Sequence, residues 1–298
     1  MTFFEAIVLG LIQGVTELFP VSSLGHSVIL PAFFGWNDLV AAQQASESYF
    51  LAFLVGLHVA TALALAWYFR DDWVRIIRAL LSSLARRRID TPDARLGWLL
   101  VVATIPAGLL GLIFEHQLRV VFAKPLLAGI LLFINGLILL AGERLRRRST
   151  TPSVRPLRLG PAVREPAEAG RRELDSLEFR EAGAIGVGQV FALLAGISRS
   201  GITIVAGLVR GLDHEDAARF SFLLATPIIL AAGIYKLPDL LGPNGNGVQG
   251  QVLAGSIAAA IAAYLSVRFL SRYFTTRTLT PFAIYCLIAG VVTVVRFR

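Results

Sequence analysis

The chain has 298 residues, 55% of them hydrophobic and only 16% charged, with a mean hydropathy of +0.68 and a net charge of +8. A soluble domain carries about a quarter charged residues, so this balance excludes an ordinary soluble fold. Repeated apolar runs of about 20 residues point instead to an all-α polytopic membrane protein.

The positive charge would suit nucleic acid in a soluble protein. In a membrane protein it fits loops beside anionic headgroups, and no nucleic-acid partner is expected. The single cysteine, Cys286, leaves no intrachain disulfide and no Cys-based metal site. With no basic n-region and with Glu5 early in the first apolar run, no cleavable signal peptide is expected.

In chain order, the first apolar stretch runs from Thr2 to Leu18 and the next from Val28 to Trp36. Pro20 and a polar island lie between them, and neither arm is long enough to cross a core of ~30 Å as a helix. Two half-helices meeting at a polar tip, a re-entrant hairpin, fit this pattern; such backbone is tolerated where protein or water covers it. Full spans are predicted at Tyr49–Phe69, Gly97–Glu115 and Pro125–Gly142. Residues 143–181 are rich in Arg, acidic residues and Pro and read as a flexible linker. A second interrupted stretch covers Ala182–Val209, broken at Gly196. Spans at Phe220–Tyr235, Val252–Leu270 and Leu279–Val295 follow, with Gly242–Gly250 as a loop.

The two interrupted stretches resemble each other. The offset of 176 residues that carries Gly10 onto Gly186 also carries Gln13 onto Gln189, Ser22 onto Ser198 and Gly25 onto Gly201. Each half continues with three spans, so the chain reads as one membrane domain made of an inverted-topology repeat. Its first repeat is 1–142, its linker 143–181 and its second repeat 182–298, giving about six full transmembrane helices and two re-entrant helical hairpins. Broken helices at matching places in two halves point to a midplane site. If the first hairpin opens outward, segments 70–97, 143–180, 210–219 and 268–277 lie inside. They carry 7, 10, 2 and 3 Arg, 22 in all, against five basic residues outside, which satisfies the positive-inside rule.

The polar islands carry the chemistry. Gln13 and Glu17 are four apart and share a helix face. Pro20 ends that helix, and Ser22 or Ser23 can cap the next, placing His26 about a turn on and on the same side. In the second island Ser198 can cap a helix whose first turns hold Arg199, Ser200 and Thr203. Two helix N-termini facing one cavity suit phosphate, and Arg199 adds a bidentate donor. Three ionisable groups in apolar surroundings, Glu17, His26 and Arg199, mark a functional site. Ser22, Ser27 and Thr203 fit capping or helix packing equally well. His58 and Asn135, each isolated in a clean span, read as structural hydrogen-bonding residues, and His116 and His214 as solvated loop residues.

Gln13-xxx-Glu17 followed by Pro20-Val21-Ser22-Ser23-Leu24-Gly25-His26 resembles the first signature of the bacterial undecaprenyl-diphosphate phosphatase, or bacitracin-resistance, family. Ala195-Gly196-Ile197-Ser198-Arg199-Ser200-Gly201-Ile202-Thr203 resembles its second. The likeness extends to Arg219–Leu224 with Pro227, and to Pro281–Tyr285. Gln13 stands where the family often has Glu, Leu24 where Thr is usual and Ala195 where Pro is usual.

The resemblance implies hydrolysis of undecaprenyl diphosphate to the monophosphate in the bacterial plasma (inner) membrane, at a site open to the outer face. This step recycles the carrier of cell-wall synthesis. Glu17, Ser23, His26 and Arg199 stand where the family's essential residues do, with Ser22, Ser198, Ser200 and Thr203 as substrate-binding groups. A divalent cation, Mg²⁺ or Ca²⁺, is expected as cofactor; Glu17 could ligate it together with Gln13, orient His26 or activate water. The expected partners are the polyprenyl diphosphate and the membrane, with a homodimer as one assembly. His26 could be the nucleophile or the acid for the leaving phosphate, with Ser23 as the rival nucleophile. The alternative function is a transporter of an anionic or phospholipid substrate.

Overall fold

The computed structural model describes residues 1–44, 49–122, 124–149, 174–236, 242 and 247–298. Among these, twelve α-helices and two short 3₁₀ turns account for the regular structure. The first helix, α1 (Phe3–Thr16), opens on a capping box in which Thr2 and Glu5 each satisfy the other's backbone N–H. The next, α2 (Ser23–Phe34), begins beyond the break at Pro20. These two, and α9 (Arg199–Val209), are apolar but shorter than a span. In the second half α8 (Phe179–Val190) and a 3₁₀ turn (Phe191–Leu193) lead into α9. Both interrupted stretches are therefore helix–break–helix.

Among the described residues, five helices are long and apolar enough to cross a membrane. They are α6 (Pro92–Phe122), α7 (Pro125–Ser149), α10 (His214–Tyr235), α11 (Gln249–Tyr273) and α12 (Thr280–Phe297). A sixth, α4 (Tyr49–Tyr68), qualifies when taken with α5 (Arg70–Arg86), which leaves it at an 84° bend. Segment 70–97, expected as a loop, thus begins with a helix. Its apolar residues Val74, Ile77, Leu81 and Leu84 recur at helical spacing and are all exposed, while Asp71, Asp72, Arg75, Arg78 and Arg86 fall off that stripe. No long apolar run announces such a helix, and its pattern is that of one lying along an interface. A short α3 (Asn37–Gln44) follows α2.

Close helix contacts tie the halves together. A Cβ at Gly10 would lie 2.2 Å from the Gly255 carbonyl oxygen, and one at Gly14 would lie 2.3 Å from that of Ala259. Small residues let α1 and α11 meet backbone to backbone, as membrane helices do. The second half repeats the device, because a Cβ at Gly186 of α8 would lie 2.5 Å from the Ala103 carbonyl oxygen on α6. So α1 of the first half packs on α11 of the second, and α8 of the second packs on α6 of the first. The pairs α4–α10 and α7–α12 complete a reciprocal pattern, the one an exchange of halves produces.

One end of the bundle gathers the Arg-rich segments. Arg219 at the start of α10 donates to Asp72 of α5 at 2.9 Å, and Arg95 donates to the Leu177 carbonyl at 2.9 Å. His214 lies 2.6 Å from Glu143, whose same oxygen accepts from the Leu279 N–H at 2.7 Å. His214 is accordingly buried, not solvated, and residues 143–149 prolong α7 instead of starting a linker. The core of the expected linker, 150–173, lies outside the described residues, as do the side chain of His116 and residues 243–246 of the Gly242–Gly250 loop.

Candidate functional site

The two breaks meet. Ser22 has φ 68°, a left-handed backbone uncommon for a residue with a side chain. Its hydroxyl accepts from Gly25 N at 3.2 Å, capping α2, and from Gly196 N at 3.1 Å in the other hairpin. Gly196 has φ 114°, and a Cβ there would lie 2.5 Å from the Ala128 carbonyl oxygen, so only glycine serves this turn. Ser198 caps α9 through Gly201 N at 3.1 Å. Asn135 of α7, fully buried, clamps both breaks: its amide donates to Pro20 O at 2.9 Å and its oxygen accepts from Ser198 N at 3.0 Å. Two capped helix N-termini thus face one another, with Ser23 and Arg199 as the first residue of each.

Glu17 sits at the centre. Its Oε2 accepts from Ser23 Oγ at 2.6 Å and from Gln13 Nε2 at 3.0 Å, while Oε1 accepts from Arg199 Nη2 at 2.9 Å. The side chains of Glu17 and Arg199 are 6% and 14% exposed. Breaking such a buried pair costs about 3–5 kcal/mol, so the carboxylate and the guanidinium hold the hairpins in register. Arg199 Nη1 is buried and makes no hydrogen bond, leaving one arm of its fork for another anion.

A cavity of about 550 Å³ adjoins this cluster, with Glu17, Ser23, His58 and Arg199 in its wall. It runs between α4, α6 and α10 to a rim that includes Leu112, Tyr235 and Lys236. Most of its remaining wall is apolar, the composition expected of a site for an amphiphile with one polar end.

The expected site residues separate into two groups. Glu17, Ser22, Ser23, Ser198 and Arg199 line the cavity. Ser200 and Thr203 turn into the packing. Ser200 Oγ lies 3.0 Å from Ser198 Oγ and 3.3 Å from Phe19 O, and Thr203 Oγ1 lies 2.5 Å from Ser221 Oγ with no surface exposed.

His26 also faces away from the cavity, contrary to the expectation that it shares a side with Ser23. The cavity side of α2 holds Ser23, Leu24, Ser27 and Val28. At about 100° per residue, His26 falls about 60° beyond Ser23, off that arc. Its Nδ1 donates to Ser22 O at 2.7 Å, and its Nε2 lies 2.7 Å from the Tyr285 hydroxyl, so both nitrogens are engaged.

His58, read from sequence as structural, stands in the cavity wall. Its Nδ1 donates to Leu54 O at 2.8 Å, which directs Nε2 toward Glu17 Oε2 at 3.6 Å. A lone imidazole in a clean span gives little signal in sequence. Asn135 and Tyr285 were equally hard to place, because their partners lie 115 and 259 residues away.

The donor set also bears on a metal. Among the described residues no three His, Cys, Asp or Glu side chains gather around one point. Gln13 Oε1 is nevertheless buried without a partner beside Glu17. A carboxamide oxygen and one carboxylate fit a hard cation that takes its other ligands from phosphate and water.

Fold and site together define a membrane-embedded protein in which two broken helical hairpins close on a cavity with a buried carboxylate and guanidinium in its wall. Comparison with known proteins gives its family. The model of the bacitracin resistance protein BacA family matches residues 6–292, and the chain belongs to that family. It is 56% identical to undecaprenyl-diphosphatase 2 of Frankia alni, with 100% of this chain and 98% of that protein covered. Identity is 58% to the undecaprenyl-diphosphatase of Mycolicibacterium paratuberculosis, with 97% and 95% covered. It is 45% to undecaprenyl-diphosphatase 2 of Chromobacterium violaceum, with 98% of each covered.

Proposed function

We propose that the protein is a phosphatase of the bacterial plasma membrane. It hydrolyses undecaprenyl diphosphate to undecaprenyl phosphate and inorganic phosphate, recycling the carrier lipid of cell-wall synthesis. The observation that carries this is the contact of the Ser23 hydroxyl with Glu17, 2.6 Å apart, beside a guanidinium that keeps one arm free, all in the wall of one largely apolar cavity.

In this reading the diphosphate meets Arg199 and the N-termini of α2 and α9, which neutralise charge developing on the transferred phosphoryl group. Ser23 Oγ attacks the terminal phosphorus and its proton passes to Glu17 Oε2. The bond from that phosphorus to the bridging oxygen breaks, and undecaprenyl phosphate leaves with the electron pair and takes up that proton. Water then cleaves the phosphoserine, regaining the hydroxyl and releasing inorganic phosphate. His26 acts as a positioning residue, holding the Ser22 carbonyl next to Ser23, while His58 Nε2 is the imidazole nitrogen within reach of the bound diphosphate. A divalent cation, Mg²⁺ or Ca²⁺, would be held by Gln13 Oε1, Glu17 and the phosphates, and would supply further charge neutralisation.

The rim at Leu112, Tyr235 and Lys236 belongs to the end opposite the Arg-rich segments, which supports a site open to the outer face. No observation favours the transporter alternative. The test is release of phosphate from undecaprenyl diphosphate by the purified protein in detergent, with added cation and with EDTA. The reading expects release that EDTA lowers; no release with cation present overturns it.

A further inference from the structure

The cavity's wall on α6 has an unusual composition. Thr104, Ala107, Gly108, Gly111 and Leu112 all line it, and their spacing puts them on one helix face. From Thr104 to Leu112 this face runs about 12 Å. Its inner end lies beside Gln189, which donates to Ala103 O at 3.0 Å. Its outer end, Leu112, is 55% exposed.

A mid-helix glycine is less favourable than alanine unless something needs the space. At Gly10, Gly14, Gly136 and Gly186 a protein atom needs it, because an added Cβ would collide below 3.0 Å. Gly108 is different: it alone among the described helical glycines has nothing within 4 Å of an added Cβ, and at Gly111 the nearest atom is 3.9 Å away. The space over these glycines is the cavity itself. A buried polar group also lines that cavity at its inner end. Gln189 lines it and is 2% exposed, and its Oε1 has no partner.

We propose that Gly108 and Gly111 are the seat of the polyprenyl segment adjoining the diphosphate, and that Gly108 sets how much chain the cavity admits. The inference rests on the phosphatase reading and adds a specificity residue to it. Continuity argues for this occupant. The same cavity that holds Ser23 and Arg199 at its polar end runs along the glycine face to the rim at Leu112 and Tyr235. A chain lying there follows a largely apolar wall from the reacting phosphate toward lipid. The flat glycine face accepts the chain's branching methyl groups, and a side chain at Gly108 would start into the chain's place from a Cβ with no protein atom within 4 Å.

The test is the series Gly108→Ala, Gly108→Leu and Gly108→Phe, measured for KM and kcat on undecaprenyl diphosphate and for thermal unfolding. KM is expected to climb with side-chain size, by about tenfold for Gly108→Phe, with kcat little changed and the unfolding midpoint undiminished. An unchanged KM in Gly108→Phe overturns the proposal. So does a lowered unfolding midpoint already in Gly108→Ala, which would show that protein packing needs the glycine. A second readout is independent of turnover: a benzophenone-bearing prenyl diphosphate should label the 104–112 segment of the wild type and not of Gly108→Phe. Labelling without hydrolysis would leave the chain seat standing and remove the phosphatase reading. Labelling elsewhere, with hydrolysis intact, would remove the chain seat alone.

Discussion

In the first hairpin Pro20 and the left-handed Ser22 separate two helices; in the second, a 3₁₀ turn and Gly196 do so. Both second helices begin with a serine cap, Ser22 and Ser198, at positions that the 176-residue offset superposes. The residue after the cap is Ser23 in one tip and Arg199 in the other. Glu17 has Leu193 as its counterpart, and His26 has Ile202. One backbone plan has thus been kept twice and its chemistry divided. The hydroxyl and carboxylate stand on one tip and the cation on the other, joined by the Glu17–Arg199 pair. A hairpin alone would leave a buried charge uncompensated, so the site and the docking of the halves depend on the same contact.

Substitutions can break this division, the largest effect coming from the cation. Arg199→Lys keeps the charge but loses the fork that reaches Glu17 and a phosphate together. Turnover of undecaprenyl diphosphate should fall about a hundredfold, and near-normal turnover would mean that the second tip does not hold the anion. Asn135→Ala removes the clamp across both breaks, leaving Ser198 N–H without its acceptor and Pro20 O with only the Cys286 thiol, 3.8 Å away. A loss of about 2 kcal/mol in denaturant unfolding is expected, and more if both groups go unsatisfied.

Ser22→Ala deletes the hydroxyl shared by the tips and keeps the strained backbone, whereas Ser22→Gly deletes the hydroxyl and relaxes the backbone. Ser22→Ala should be the less stable by about 1 kcal/mol; equal stability would show that the left-handed geometry costs nothing. The smallest effect is expected for Tyr285→Phe, which frees His26 Nε2. If His26 only positions Ser22, turnover should change by less than about threefold, and a loss comparable with Arg199→Lys would bring His26 into the chemistry.

Much of this arrangement is legible in the sequence because burying polar groups in an apolar chain is costly. Glu17, Ser23 and Arg199 stand out on that ground, and the offset between the stretches announces that two tips meet. Rotation of a short helix about its axis is not legible in that way. His26 and Ser23, three residues apart, pass for neighbours until the cavity is seen to follow the arc from Ser23 to Val28. Nor does pattern reveal His58 or Asn135, whose importance comes from which helix lies opposite. α5 escaped because its charges interrupt any long apolar window, although its exposed stripe from Val74 to Leu84 is regular. The Glu143–His214 contact was hidden because a charged stretch at a span's end reads as solvated until a second element covers it.

The central claim is that Ser23 receives the phosphoryl group while Arg199, from the opposite tip, holds it. Turnover of undecaprenyl diphosphate labelled in its terminal phosphate can be quenched and the protein digested. The account predicts label on the peptide carrying Ser23, stable to acid and removed by base, and none in Ser23→Ala. Acid-labile label on His26, or equal turnover by Ser23→Ala, would contradict it.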